Sequence, residues 1–243
     1  AVGALGGYAM PAFADATLDE LGHFVHEAQV RFALAEDQEQ VDKILDMREQ
    51  DATIEHILYD DSRGLGGYPH PGLISWDAIQ TRGADRLKRE SGLRDALIKR
   101  AQPDDPAVFV HSSGSTGKPK GVVLSHRNIL SGVRNAHDGG AFQSGETILA
   151  YLPIAWVGDF AVTMGAGIAL RFEINIPERQ ETVLGNLREI APTFYLAAPR
   201  SWDNLLTTIQ VRVEDSSPLK RWIYQFFMTT ALSAERRKLE GKQ

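Results

Sequence analysis

The chain has 243 residues, a formal charge of −6, and 43% hydrophobic against 24% charged residues. This balance excludes a disordered chain and leaves room for a substantial core. The acidic surplus argues against a protein that grips nucleic acid through its phosphates, and the absence of cysteine excludes disulfides, thiolate zinc sites and a cysteine nucleophile while suiting the reducing cytoplasm.

Ala1 to Ala14 carries no charge and ends in Ala12-Phe13-Ala14, superficially like a signal cleavage site. A basic n-region is missing, and Gly3, Gly6, Gly7 and Pro11 interrupt any apolar helix. The segment therefore reads as a buried strand followed by a turn. No apolar run reaches the roughly 20 residues needed to cross a bilayer.

Thr17-Leu18-Asp19-Glu20 forms a capping box, and Leu18, Leu21, Phe24 and Val25 recur at helical spacing. Val30 to Ala35 reads as a strand, Gln38 to Arg48 as a helix and Thr53 to Tyr59 as a strand. Asp60 to Gly72 is rich in Gly, Pro and Asp and reads as loop. Trp76 to Lys99 is predicted helical with breaks near Gly83 and Gly92; Ala107 to His111 and Gly121 to Leu124 are short strands, followed by a helix over Arg127 to Ala136. The alternation resumes with a strand over Thr147 to Leu152, a helix over Trp156 to Ala169, a strand over Arg171 to Ile176 and a helix over Glu178 to Ile190. Thr193 to Ala197 is a predicted strand, and Pro199 sits where a helix begins. Repeated strand–helix units predict an α/β fold with mostly parallel sheets flanked by helices.

The chemistry concentrates in His111-Ser112-Ser113-Gly114-Ser115-Thr116-Gly117-Lys118-Pro119-Lys120-Gly121, between two β-like runs. Glycines let the backbone approach a ligand and turn N–H groups toward it. Hydroxyls of Ser112, Ser113, Ser115 and Thr116 can donate to phosphate oxygens, and Lys118 and Lys120 supply positive charge. The motif is not a Walker A loop, which needs four residues between the glycines and a hydroxyl residue after the lysine. Here two residues separate Gly114 from Gly117, and Pro119 follows Lys118. It is not a dinucleotide fingerprint either, because Pro119-Lys120-Gly121 does not open a helix at the required spacing. A flexible Gly/Ser hairpin is the plain alternative.

Ser112 to Gly121, continuing to Leu124-Ser125-His126, resembles the phosphate-binding signature of the adenylate-forming superfamily: acyl-CoA synthetases, luciferases and the adenylation domains of peptide synthetases. Tyr151 to Asp159 is similar to the next motif of that family, and Ala191 to Trp202, Tyr59 to Leu65 and Ala35 to Val41 resemble its long-chain acyl-CoA synthetase branch. Many members have histidine where this chain has Trp156, so no role for that histidine carries over.

The resemblance implies part of the large N-terminal domain of an adenylate-forming enzyme. Such an enzyme joins a carboxylate to ATP as an acyl-adenylate with loss of pyrophosphate, and coenzyme A then displaces AMP. On this reading Ser113, Gly114, Ser115, Thr116 and Gly117 cradle the β- and γ-phosphates, Lys118 or Lys120 offsets their charge, and the Ser112 hydroxyl touches Mg²⁺. Trp156 and Phe160 are candidate aromatic walls of a nucleotide or acyl channel, against an equal reading as helix-core aromatics. Two alternatives stay open: an acyl-AMP ligase that hands the acyl group to a carrier protein, and a non-catalytic phosphate-binding module. The family's later Tyr-Gly-x-Thr-Glu and Thr-Gly-Asp motifs are not in the sequence. This leads to the expectation of an internal piece of a larger synthetase, residues 1–243 forming a partial domain without the C-terminal domain.

His23, His26 and Glu27 share one predicted helix but match no zinc-protease pattern, which favours surface or packing roles. His126 is expected to shape the exit of the loop, and Gly165-Ala166-Gly167 to allow close helix packing. Leu219 to Gln243 holds six basic residues against Glu235 and Glu240, and Trp222, Ile223, Phe226 and Phe227 form an apolar stripe. Such a helix either packs on other protein or lies at the periphery of an anionic membrane.

Overall fold

The computed structural model describes residues 2–50, 53–68, 70–112 and 119–241. They fall into two compact units, Ala1–Phe194 and Tyr195–Gln243.

In the first unit the capping box at Thr17 forms as the spacing predicts. The Thr17 hydroxyl accepts the Glu20 N–H, and the Glu20 carboxylate accepts the Thr17 N–H at 2.9 Å. Those bonds from Thr17 hold the Glu20 carboxyl below its ordinary range. The cap starts α1 (Leu18–Glu27), which buries Leu21, Phe24 and Val25 along one side. Strand β1 (Phe32–Ala35), helix α2 (Gln38–Gln50) and strand β2 (His56–Tyr59) follow, and after the loop comes β3 (Leu73–Ser75). The sheet order is β1-β2-β3, all parallel, with Ala33 opposite Ile57 and Ile57 opposite Leu73. Because parallel neighbours need a crossover, α2 lies against β1 and β2. Val41 and Leu45 of α2, Leu21 and Val25 of α1, and Ile57 of the central strand share one core, with Val41 and Ile57 at 0% exposure.

Helix α3 (Trp76–Arg89) starts at Ser75, whose hydroxyl accepts the Ala78 N–H. The expected break at Gly83 does not occur. Gly83 stands on an exposed face with open space where a Cβ would be, and a single exposed glycine costs a helix only about 1 kcal/mol. The second break is found: α3 ends at Glu90, and Gly92 at φ +80° leads into α4 (Leu93–Ile98).

An antiparallel hairpin follows, β4 (Pro106–Ser112) and β5 (Lys120–Ser125), pairing Val110 with Val122 and Ser112 with Lys120. It departs from the mostly parallel pattern. Ser125 caps α5 (His126–Asp138) in a second capping box with Asn128. A two-stranded parallel sheet of β6 (Thr147–Leu149) and β7 (Glu173–Asn175) brackets the helical stretch between them. That stretch begins as one turn, α6 (Val157–Asp159), widens into a π-helix over Phe160–Ala166, and closes as α7 (Gly167–Ala169). A Cβ at Gly165 would stand 2.8 Å from Ile129 Cγ2, and one at Gly167 2.8 Å from Ile174 Cδ1. The pair of glycines thus admits α5 and β7 at close range, as their spacing suggested. Val133, Phe142, Ile148, Ala166 and Phe172 form a second core, in which Phe142 meets Phe172 and Phe194 edge-on. A 3₁₀ turn (Gln180–Thr182) leads into α8 (Val183–Ile190).

Two expected strands are absent. Residues 2–14 form a 3₁₀ turn at Gly3–Leu5, and only Ala9 bridges to Val108. The glycines and Pro11 that rule out a helix there also deprive the segment of a ladder. Thr193 to Ala197 docks on β6 only at its start: the N–H groups of Thr193 and Phe194 both donate to the Thr147 carbonyl, and the Thr193 hydroxyl accepts the Thr147 N–H. The chain then leaves the sheet toward Pro199.

The second unit holds α9 (Pro199–Glu214) and α10 (Pro218–Leu239), each with proline in its first turn. No residue of either helix is buried. On α10, Leu219, Trp222, Phe226 and Phe227 are all more than half exposed; the Trp222 and Phe226 rings stack with centroids 5.9 Å apart.

Among the described residues no helix is long and apolar enough to cross a membrane.

Candidate phosphate-binding site

Ser113, Gly114, Ser115, Thr116, Gly117 and Lys118, the expected phosphate cradle, lie outside the described residues. Their flanks are described. Ser112 ends β4 and faces Lys120 at the start of β5, and its hydroxyl donates to the Lys120 carbonyl at 3.3 Å. The two strands are therefore joined at the mouth of the motif. The Ser112 hydroxyl is engaged in that seal.

Helix α1 reaches this mouth from the side. Glu27 Oε1 accepts the Gly121 N–H at 3.2 Å, while Oε2 stands 3.6 Å from His111 Nε2 and 3.7 Å from His23 Nε2. His23 Nε2 in turn lies 3.4 Å from the Pro119 carbonyl. Phe24 stacks on the His111 ring with centroids 3.6 Å apart. The His111 side chain is 10% exposed, and its Nε2 makes no hydrogen bond. Burial holds its pKa below the ordinary histidine range, against the raising effect of Glu27 and with a further lowering from His23, so the ring is neutral at neutral pH. The packing is tight: a Cβ at Gly121 would overlap the Phe109 ring.

The expectation that His23 and Glu27 serve only as surface or packing residues missed this convergence. No group of three His, Cys, Asp or Glu among the described residues is arranged to hold a metal. His126 opens α5, and its ring packs where a Gly3 Cβ would sit, 2.7 Å from Cε1, with Nε2 buried and unbonded.

Trp156 and Phe160 lie on a separate element. Trp156 is the N-cap of α6, half-exposed, and its indole folds back over Gly158, where a Cβ would lie 3.1 Å from the ring. Phe160 is half-buried at the start of the π segment, with its N–H bonded to the Trp156 carbonyl. Between them sits a group that sequence reasoning passed over: Asp159, 5% exposed, bonded to the Thr163 hydroxyl at 3.2 Å. Burial raises its pKa despite that bond. The i, i+4 spacing of Asp159 and Thr163 in an otherwise apolar stretch was the available signal.

The family model for AMP-binding enzyme matches residues 1–237. The chain belongs to the AMP-binding enzyme family. The chain is 27% identical over 252 residues to the long-chain-fatty-acid–CoA ligase ACSBG2 of Xenopus laevis, an alignment covering 99% of this chain and 33% of that protein. It is 26% identical over 250 residues to the human ACSBG2, covering 100% of this chain and 36% of that protein. The chain thus spans about a third of the length of the curated relatives it matches. Among solved structures, the adenylation domain of a carboxylate reductase from Mycobacterium chelonae matches with TM-score 0.62 and 15% identity over 88% of this chain and 35% of that one. ATP-bound MatB from Rhodopseudomonas palustris matches with TM-score 0.55 and 20% identity over 83% of this chain and 36% of that one. These show that the chain has the fold of adenylate-forming domains.

Proposed function

We propose that this chain supplies the nucleotide-phosphate-binding part of an AMP-forming acyl-CoA synthetase acting on long-chain fatty acids. The observation that carries the reading is the alignment of essentially the whole chain with long-chain-fatty-acid–CoA ligases, with the motif Ser112 to Gly121 between two paired strands. In the proposed reaction a fatty-acid carboxylate oxygen attacks the α-phosphorus of ATP, the bond to the β-phosphate breaks, and pyrophosphate leaves. The thiol sulfur of coenzyme A then attacks the acyl carbonyl, the thiol proton is lost, and AMP departs with its electron pair. Positioning and charge neutralisation dominate such chemistry. Lys120 and Lys118 offset the charge on the β- and γ-phosphates, backbone and hydroxyl donors of residues 113–117 orient them, and Trp156 with Phe160 walls the nucleotide or acyl channel.

Mg²⁺ commonly reaches such sites through one or two carboxylates and the substrate phosphates. The Ser112 hydroxyl gives its hydrogen to the Lys120 carbonyl, which leaves its oxygen lone pairs as the one protein ligand the proposal assigns to Mg²⁺, the phosphates of bound ATP supplying the rest. Peripheral contact with an anionic membrane is part of the proposal for α10, resting on Trp222, Phe226 and Phe227 beside Lys220 and Arg221.

The test is calorimetric titration of the chain with Mg·ATP, with and without Lys120→Ala. Saturable binding weakened about tenfold by the substitution is expected for loss of one charge-assisted phosphate contact. Absence of binding by the unsubstituted chain would sink the reading.

A further inference from the structure

Glu27 is the last residue of α1, 94 positions away in sequence from the Gly121 amide it binds. Its carboxylate does three things at once. One oxygen accepts the Gly121 N–H at the root of β5, and the other lies within 3.7 Å of both His23 and His111. His111 belongs to β4 and pairs with Gly121 in the hairpin register. His23, one turn earlier on α1, approaches the Pro119 carbonyl. One face of α1 thus touches β4, β5 and the residue just before β5, all at the end of the hairpin where the phosphate motif leaves and returns.

We propose that Glu27 is a positioning residue that clasps the two strands at the base of the phosphate motif and so tunes nucleotide affinity without touching the nucleotide. The affinity part rests on the nucleotide reading above; the clasp itself does not. Three features favour a purpose beyond filling space. A carboxylate accepting a backbone N–H gives a directional tether stronger than a neutral acceptor would. His111, stacked on Phe24 and tilted against Phe109, presents a rigid wall against which the carboxylate is oriented. Finally, Gly121 has no side chain, and a Cβ there would stand 2.9 Å from Glu27 Oε1, so the close approach depends on glycine.

The experiment uses the full 243-residue chain and compares Glu27→Ala, Glu27→Leu and Glu27→Gln. Leucine keeps the methylene packing but offers no acceptor; glutamine keeps an acceptor oxygen. Two readouts are taken, the hydrogen-exchange rate of the Gly121 amide and the Kd for Mg·ATP. For Ala and Leu alike, Gly121 exchange is expected to rise about tenfold and Kd about fivefold, the scale of one lost hydrogen bond to a partly exposed charged group. Glu27→Gln should restore both to within about twofold. Unchanged Gly121 exchange in the Ala and Leu variants overturns the clasp. Faster exchange with unchanged Kd overturns its link to the nucleotide, and equal loss in the Gln variant overturns the acceptor role. If the unsubstituted chain does not bind Mg·ATP, the nucleotide reading and the affinity claim fall together, whereas the Gly121 exchange rate still decides the clasp.

Discussion

Gly121→Ala probes the mouth of the hairpin most directly. The backbone of Gly121 lies outside the left-handed region, so alanine meets no conformational penalty there, and the cost is one of space. The new Cβ would overlap Phe109 Cζ, stand 2.6 Å from Phe109 Cε1 and 2.9 Å from Glu27 Oε1, against ordinary carbon contacts of about 3.5–4.0 Å. Phe109 has little room to yield: it is buried, with Tyr8 stacked on one side and His111 tilted against it. Overpacking of this kind costs about 1–3 kcal/mol, and the unfolded-state gain from replacing glycine returns about 0.4–1 kcal/mol. A net loss of about 1–2 kcal/mol is expected from urea unfolding followed by fluorescence and circular dichroism. The mechanism is isolated by Phe109→Leu, since leucine lacks both ring atoms in the overlap. In that background Gly121→Ala should cost at least about 1 kcal/mol less than in the unsubstituted chain. Additive effects of the two substitutions, or a Gly121→Ala protein as stable as its parent, would refute the reasoning.

The buried Asp159 predicts a pH effect with a definite sign. Its pKa is raised in the folded chain, so as pH climbs through the ordinary aspartate range the unfolded state gives up its proton first and stability falls until the folded group also ionises. Asp159→Asn, which keeps an acceptor for the Thr163 hydroxyl, should therefore gain about 1 kcal/mol at about pH 7 and nothing at about pH 3; a loss at neutral pH in urea melts contradicts this. Thr17→Ala removes the N-cap of α1 and should lower stability by about 1 kcal/mol, accompanied by faster amide exchange at Glu20, and an unchanged Glu20 rate would count against the cap.

What could be read from the sequence was local. The Thr17–Glu20 box and the proline start at Pro199 are decided within one helical turn, and both appear as expected. The strands on either side of the Ser112 to Gly121 motif were equally readable, and they fall within a residue or two of the predicted ones. Gly83 misled because propensity is weak beside a well-capped helix. Thr193 to Ala197 has strand composition, yet its backbone bonds to β6 come from Thr193 and Phe194 and converge on Thr147 without forming a ladder; composition carries no information about which edge is free. The contacts of Glu27 were out of reach for a similar reason. They span up to 94 positions, and an acidic residue at a helix end looks the same in sequence whether it faces water or a distant amide.

The π segment over Phe160–Ala166 carries a consequence for how this stretch was assembled. In an uninterrupted α-helix of 3.6 residues per turn, the angle between Asp159 and Gly165 is dictated by residue count alone. A wider turn between them breaks that arithmetic. The wider turn shifts the phase of the helix, so that the Asp159–Thr163 pair is buried while Gly165 still meets Ile129 and Gly167 meets Ile174.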